Sequence, residues 1–304
     1  YLEVNGGTFE TVVCDNNHTS SVFYALYAAG EAGTVQCIIH DGTFKTAGNY
    51  TAVLIGNDNT NGDGGINADA CSYIYGGTFL APEGVSAVKV SPNTANSSVL
   101  YGGSYSMLGE TDALPYVAAE CRTVEATEGG VSYVVQARTE EDTDAVAKVG
   151  DKVYASLQTA IDAAEGGTAV LLKDTAESIT VSGDRTVTLD LGGNTLTNTA
   201  GSHTITVVLG GRLTLEDSAG NGKVDNISHA KAALFNNGTA VLNGGEYTRS
   251  AENGQNAENN GGNSYYNLVN HGVMTIGEGV SVSQSGRYSS MVENGYQNYG
   301  TEYK

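Results

Sequence analysis

Asp190, Glu216 and Asp217 are the acids whose types and spacing come closest to doing chemistry. Glycoside hydrolysis needs two carboxyl groups roughly 5 to 9.5 Å apart across the sugar bond. These three fall near the same turn of successive sequence repeats, so neighbouring repeats would bring them within that reach. Solvent-facing turns also carry acids of this kind, and that plainer role is the stronger expectation. Only Arg185, Arg212 and Arg249 lie near enough to offer a lyase-like cation, and the Gly-His-Gly, Asp-Asp and Arg-x-Lys phrases of pectin hydrolysis are missing.

A second pattern is cation binding. In Asn59-Thr60-Asn61-Gly62-Asp63-Gly64-Gly65-Ile66-Asn67-Ala68-Asp69, oxygen-bearing side chains alternate, a glycine holds the sixth place and an apolar residue the eighth. That spacing wraps oxygens around one hard cation, with Asn59, Asn61, Asp63, Asn67 and Asp69 as candidate calcium ligands. Asn59 stands where the pattern prefers a charged first ligand, and Asp69 arrives one place early. An Asn- and Gly-rich turn needs no metal, so the fold itself requires no cofactor.

Binding is the third. The chain has 18 Tyr and no Trp, and Tyr265, Tyr266, Tyr288, Tyr296 and Tyr299 cluster in an Asn- and Gly-rich setting. Such rings bury area at little rotameric cost, which suits recognition of sugar or protein. The histidines His18, His40, His203, His229 and His271 are scattered singly, without a metal or triad pattern. No serine nucleophile motif or phosphate loop is present.

The elements that must position these residues announce themselves by repetition. An apolar residue, a turn-like pair and a second apolar or aromatic residue five places on recur at Val4/Phe9, Ile39/Phe44, Ile74/Phe79, Leu100/Tyr105, Leu191/Leu196 and Leu242/Tyr247, with weaker copies at Leu215 and Ile276. Recurrence of this kind is the mark of a solenoid, in which each repeat stacks on its neighbours because it cannot bury its apolar face alone. Stacking places Val4, Ile39, Ile74 and Leu100 in one interior column and Phe9, Phe44, Phe79 and Tyr105 in another. Alternation in Val187, Leu189, Leu191 and in Ile205, Val207, Leu209 supports short strands. The chain is therefore expected to be all-β, a right-handed parallel β-helix of two stacked-coil units.

One segment departs from strand periodicity. Leu157, Ala160, Ile161 and Ala164 follow helical spacing, with Ser156 as N-cap and Gly166-Gly167 as the stop. A short helix near 156–165 would cover the open end of the second stack, whose strand edges would otherwise be exposed. The expected division is 1–137 for the last coils and closing segment of a first stack, 138–145 for an acidic linker, and 146–304 for a second stack opened by the capping helix and truncated at its C-terminus.

Composition excludes several partners. Formal charge is -20, and Lys45 and Lys89 are the only cations before Arg122. Nucleic acid and anionic membrane both demand clustered cations, so neither is expected. No apolar run is long enough for a membrane span. Cys14, Cys37, Cys71 and Cys121 lack zinc-site spacing and read as buried thiols, although an oxidising exterior would also suit disulfides of undetermined pairing.

The run from Val146 through Leu157 to Leu171-Leu172-Lys173-Asp174, followed by Leu189-Asp190-Leu191-Gly192-Gly193-Asn194-Thr195-Leu196, resembles the opening of pectate-lyase-like β-helix domains in large surface proteins of gut Firmicutes. Gly102-Gly103-Ser104-Tyr105, Tyr116-Val117-Ala118 and Tyr133-Val134-Val135 are similar to the closing segment of such domains. The resemblance implies an extracellular module at a bacterial cell surface or wall. Its role would be adhesin-like or structural display, with a carbohydrate-binding or polysaccharide-cleaving β-helix, or a binder of a host protein such as immunoglobulin, as alternatives. An enzyme is not the expectation; if one, it would be a polysaccharide hydrolase or lyase.

Overall fold

The computed structural model describes residues 1–12, 24–28, 35–47, 49–56, 72–91, 97–199, 201–250, 266–283 and 290–295. The chain divides into two compact units, Tyr1–Arg138 and Thr139–Lys304. Strands dominate both, and most of them pair in parallel.

In the first unit, strand Leu2–Glu10 pairs in parallel with Cys37–Lys45, which takes Tyr73–Ile74 and Thr78–Leu80, and the latter passes on to Gly103–Tyr105. The register aligns Val4, Ile39, Ile74 and Leu100, and beside them Phe9, Phe44, Phe79 and Tyr105. Both columns are those the repeats predict. Phe44, Phe79 and Tyr105 are fully buried and Phe9 half-buried. Their rings stack at 4.8, 5.1 and 5.0 Å with planes within 10° of parallel. A second parallel sheet, Leu26–Ala28, Val53–Ile55 and Val88–Val90, closes the same core from the other side.

The Gly-Gly pairs between the two columns are demanded by close layering. At Gly76 and Gly102 a Cβ would lie 2.4 and 2.2 Å from the carbonyl oxygens of His40 and Tyr75, and Gly77 and Gly103 adopt φ of +106° and +110°. The parallel run ends where Tyr133–Ala137 lies antiparallel to Gly103–Tyr105 and receives Cys121–Glu125 on its far edge.

In the second unit, the parallel order Thr168–Leu171, Thr186–Asp190, Arg212–Glu216, Thr239–Thr248, Val273–Val282 makes one wall. Ile179–Val181, Ile205–Val207, Leu234–Asn236, Leu268–Asn270 and Val292–Asn294 make a second. Leu189, Leu215, Leu242 and Ile276 share one register. The repeat reading anchored this series on Leu191, and the structure moves it two residues upstream. Leu191 lies beyond the end of its strand, at a corner turned by Gly192 and Gly193, and corner length varies between repeats where strand pairing does not. The last three strands of the second wall also carry an asparagine ladder: Asn236 Nδ2 donates to Asn270 Oδ1, and Asn270 Nδ2 to Asn294 Oδ1, each at 2.7 Å. Asn236 is fully buried, so the amide bond to the next layer replaces water it cannot reach.

The helix occupies Leu157–Ala163, with Leu157, Ala160 and Ile161 buried in the core and the Ser156 hydroxyl accepting from Thr159 N. It covers a strand edge through one side chain. Gln158 Nε2 donates to the Thr180 carbonyl at 3.0 Å and Gln158 Oε1 accepts from Thr180 N at 2.7 Å, filling the place a neighbouring peptide would take. On the first wall, hairpin Ala147–Val149/Lys152–Tyr154 covers Thr168–Leu171 with an antiparallel strand. Residues 139–145 form hydrogen-bonded turns held by Asp142, and Ala145 is buried.

Candidate functional site

The structure brings Asp190 and Glu216 into direct register on adjacent parallel strands, with Asp217 next along. Their environments divide them. Asp190 Oδ1 accepts from Gly192 N and Ser218 N, each at 2.9 Å. Asp217 Oδ1 accepts from Gly193 N at 2.8 Å, and its Oδ2 from Gly222 N at 2.6 Å. Both carboxylates thus hold corner amides that would otherwise be unpaired. Burial pushes the Asp190 carboxyl up, but the hydrogen bonds from Ser218 and Gly192 together outweigh it and hold the group below the usual carboxylate range. A general acid needs the opposite shift. Glu216 alone points to solvent. The three acids are gathered as expected, but in the arrangement of a turn.

The other candidates separate into those the structure describes and those it does not. The calcium loop, Asn59 to Asp69, lies outside the described residues, as do Tyr265, Tyr288, Tyr296 and Tyr299. Tyr266 is half-buried at the entry to strand Leu268–Asn270. Among the described residues no group of three or more His, Cys, Asp or Glu is arranged to hold a metal. Cys37 and Cys121 are buried thiols, and burial pushes the Cys37 thiol up to about 11, away from nucleophilic use. An open cavity of about 450 Å³ is lined by residues including Glu83, Ser106, Ser132 and Tyr133, which supply one carboxylate and no second carboxyl, histidine or cysteine to pair with it.

His203 is a packed residue. Its Nδ1 accepts from Ala232 N at 2.8 Å, and its ring stacks on Phe235 at 4.6 Å. Burial, with the Lys231 charge, lowers its pKa to about 4. The unfolded chain therefore binds the extra proton between about pH 6.5 and pH 4. Stability from neutral His203 is fully present above that window and lost as pH falls through it. After discounting for partial exposure, His203→Gln is expected to shrink the stability difference between neutral and acid pH by about 1 kcal/mol. Denaturation midpoints of both proteins across this range check it, and an unchanged difference overturns the assignment.

The feature that sequence reasoning missed is an external aromatic row on the first unit. His40, Tyr75 and Tyr101 each follow an interior anchor, Ile39, Ile74 and Leu100, and alternation turns them away from it, with His40 and Tyr75 exposed and Tyr101 half-buried against the core. His40 stacks on Tyr75 at 5.6 Å and Tyr75 meets Tyr101 at 5.3 Å, while Tyr73 packs against Tyr75 at 6.0 Å and Tyr101 at 5.9 Å. Tyr75 is 46% exposed. His40 Nε2 also lies 3.2 Å from Glu3. Directly after the corner glycines Gly42, Gly77 and Gly103 stand Thr43, Thr78 and Ser104, in register with Thr8. The signal was present in the repeats, one place beyond each anchor.

Comparison with protein-family models, with curated proteins and with solved structures finds no match for this chain.

Proposed function

We propose that the chain is a non-catalytic module of two right-handed parallel β-helical units, akin to the pectate-lyase-like domains of bacterial surface proteins, and that it displays binding surfaces outside the cell. The observation that carries this reading is the fate of the acids. Asp190 and Asp217 are spent on corner amides, and the Asp190 carboxyl is held below the usual carboxylate range, the opposite of what the proton donor of glycosidic cleavage requires. In-register columns of buried residues and a helix that closes one strand edge support a rigid stacked scaffold. Its outward positions are left for recognition. Among the described residues no helix is long and apolar enough to cross a membrane.

The test is incubation of the intact chain with a panel of neutral and acidic polysaccharides, followed by assays for new reducing ends and for unsaturated uronates. No product is expected from any polymer. Sustained release of either product, abolished by Asp190→Ala, would overturn the reading.

A further inference from the structure

The aromatic row repeats with the layers of the first unit, and it lies beside a second outward row of different chemistry. Thr8, Thr43, Thr78 and Ser104 are aligned by strand pairing, one residue per layer. His40, Tyr75 and Tyr101 hold the equivalent places on the other side of the glycine corner. Over the three layers from His40 to Tyr101 each step therefore offers the same pair, an aromatic ring and a hydroxyl, at about the 4.8 Å spacing of adjacent strands, while the Thr8 layer carries Asn5 in place of the ring. A folded protein surface is irregular and gains nothing from such repetition. A polymer of identical units does.

Charge narrows the choice. The chain carries a formal charge of -20. In the strands that bear the two rows the single cation is Lys45, and it is paired with Glu10 at 2.7 Å. His40, the remaining basic side chain of the row, lies against Glu3. An anionic polymer would meet repulsion here with no cation to offset it. An uncharged one would meet no such repulsion, and the phenol, threonine and serine hydroxyls of the two rows can exchange hydrogen bonds with its hydroxyls while the rings supply apolar contact area.

We infer that this face of the first unit binds a linear, uncharged glycan lying along the stack, with Tyr75 at its centre and His40 and Tyr101 on either side. The inference rests on the display-module reading and names the ligand class of one surface. Tyr75 is the most telling residue because it touches His40, Tyr73 and Tyr101 and is itself half in solvent.

Affinity electrophoresis of the full chain through gels containing hydroxyethyl cellulose, galactomannan or amylose tests this. At least one polymer should retard the protein. Tyr75→Ala should weaken that retardation about tenfold, and Tyr75→Phe, which keeps the ring, should lose much less. His40→Ala, at an exposed site, gives a second reading should Tyr75→Ala disturb folding, which thermal melting reports. Retardation by none of the three polymers, equal retardation of wild type and both alanine variants, or tighter binding of polygalacturonate would each overturn the inference. Cleavage of a bound glycan would leave this surface standing and remove the non-catalytic reading; absence of binding would do the reverse.

Discussion

Replacing Phe44 with alanine is expected to destabilise the first unit by about 3–5 kcal/mol, the range for deleting a large aromatic ring from a packed interior. Phe44 has no solvent exposure and is sandwiched between Phe9 at 4.8 Å and Phe79 at 5.1 Å, with planes within 4° of parallel on both sides. Its loss removes one apolar transfer contribution and two stacking contacts at once. Collapse of the cavity is resisted, because strand pairing on both edges fixes the spacing of the layers above and below. Phe44→Leu, which refills part of the volume, should recover a substantial part of the loss. Denaturant titration of the three proteins measures this, and a midpoint unmoved by Phe44→Ala would contradict the interior stack.

The second large effect is expected at Glu177. Its carboxylate accepts from the Ser156 hydroxyl at 2.7 Å, from Leu157 N at 2.8 Å and from Gln158 N at 2.9 Å. Two of those donors are first-turn amides with no partner inside the helix, and the negative charge sits at the positive end of the helix dipole. Glu177→Ala strands all three groups at a half-buried site, at a cost of about 2–4 kcal/mol. Because Gln158 also completes the edge of strand Ile179–Val181, the damage should reach that strand. Hydrogen exchange of the full chain is the measurement. Amides of Leu157, Gln158 and Thr180 should lose protection together, whereas amides around Leu234 and Leu268, deeper in the stack, should hold theirs. Unchanged protection at Leu157 and Gln158 would show that the carboxylate is dispensable.

Both predictions concern local interactions, yet only one was legible beforehand. The Phe44 stack follows from a repeated phrase: equal offsets from Val4, Ile39 and Ile74 leave the rings little choice but to align once the layers pair. The helix at Leu157–Ala163 was legible too, from its apolar spacing and the Ser156 cap. Glu177 was not. It lies 20 residues from the amide of Leu157 and belongs to no capping phrase of the helix, so its role exists only after the chain has turned back.

The acids show the same division in the functional site. Repeat arithmetic was enough to bring Asp190 and Glu216 onto neighbouring layers, because parallel pairing preserves sequence order from one repeat to the next. Whether such carboxylates do chemistry depends on which amides face them, and corner geometry decides that. The external row of His40, Tyr75 and Tyr101 went unread because attention to the buried face of a strand passes over its other parity.

By itself the sequence determined that the chain is built of strands, where the interior columns of the first unit run, and where a helix interrupts them. Each of these follows from periodicity, which is written locally and needs no knowledge of the third dimension. The tertiary structure alone decided the register of Leu189 over Leu215, the closing of strand edges by Gln158 and by antiparallel hairpins, and the occupation of Asp190 and Asp217 by corner amides. These depend on turn lengths and on hydrogen bonds between residues far apart in the chain. Periodicity carries no record of such pairings, since a corner lengthened by two residues shifts every partner beyond it while leaving the pattern of apolar residues intact.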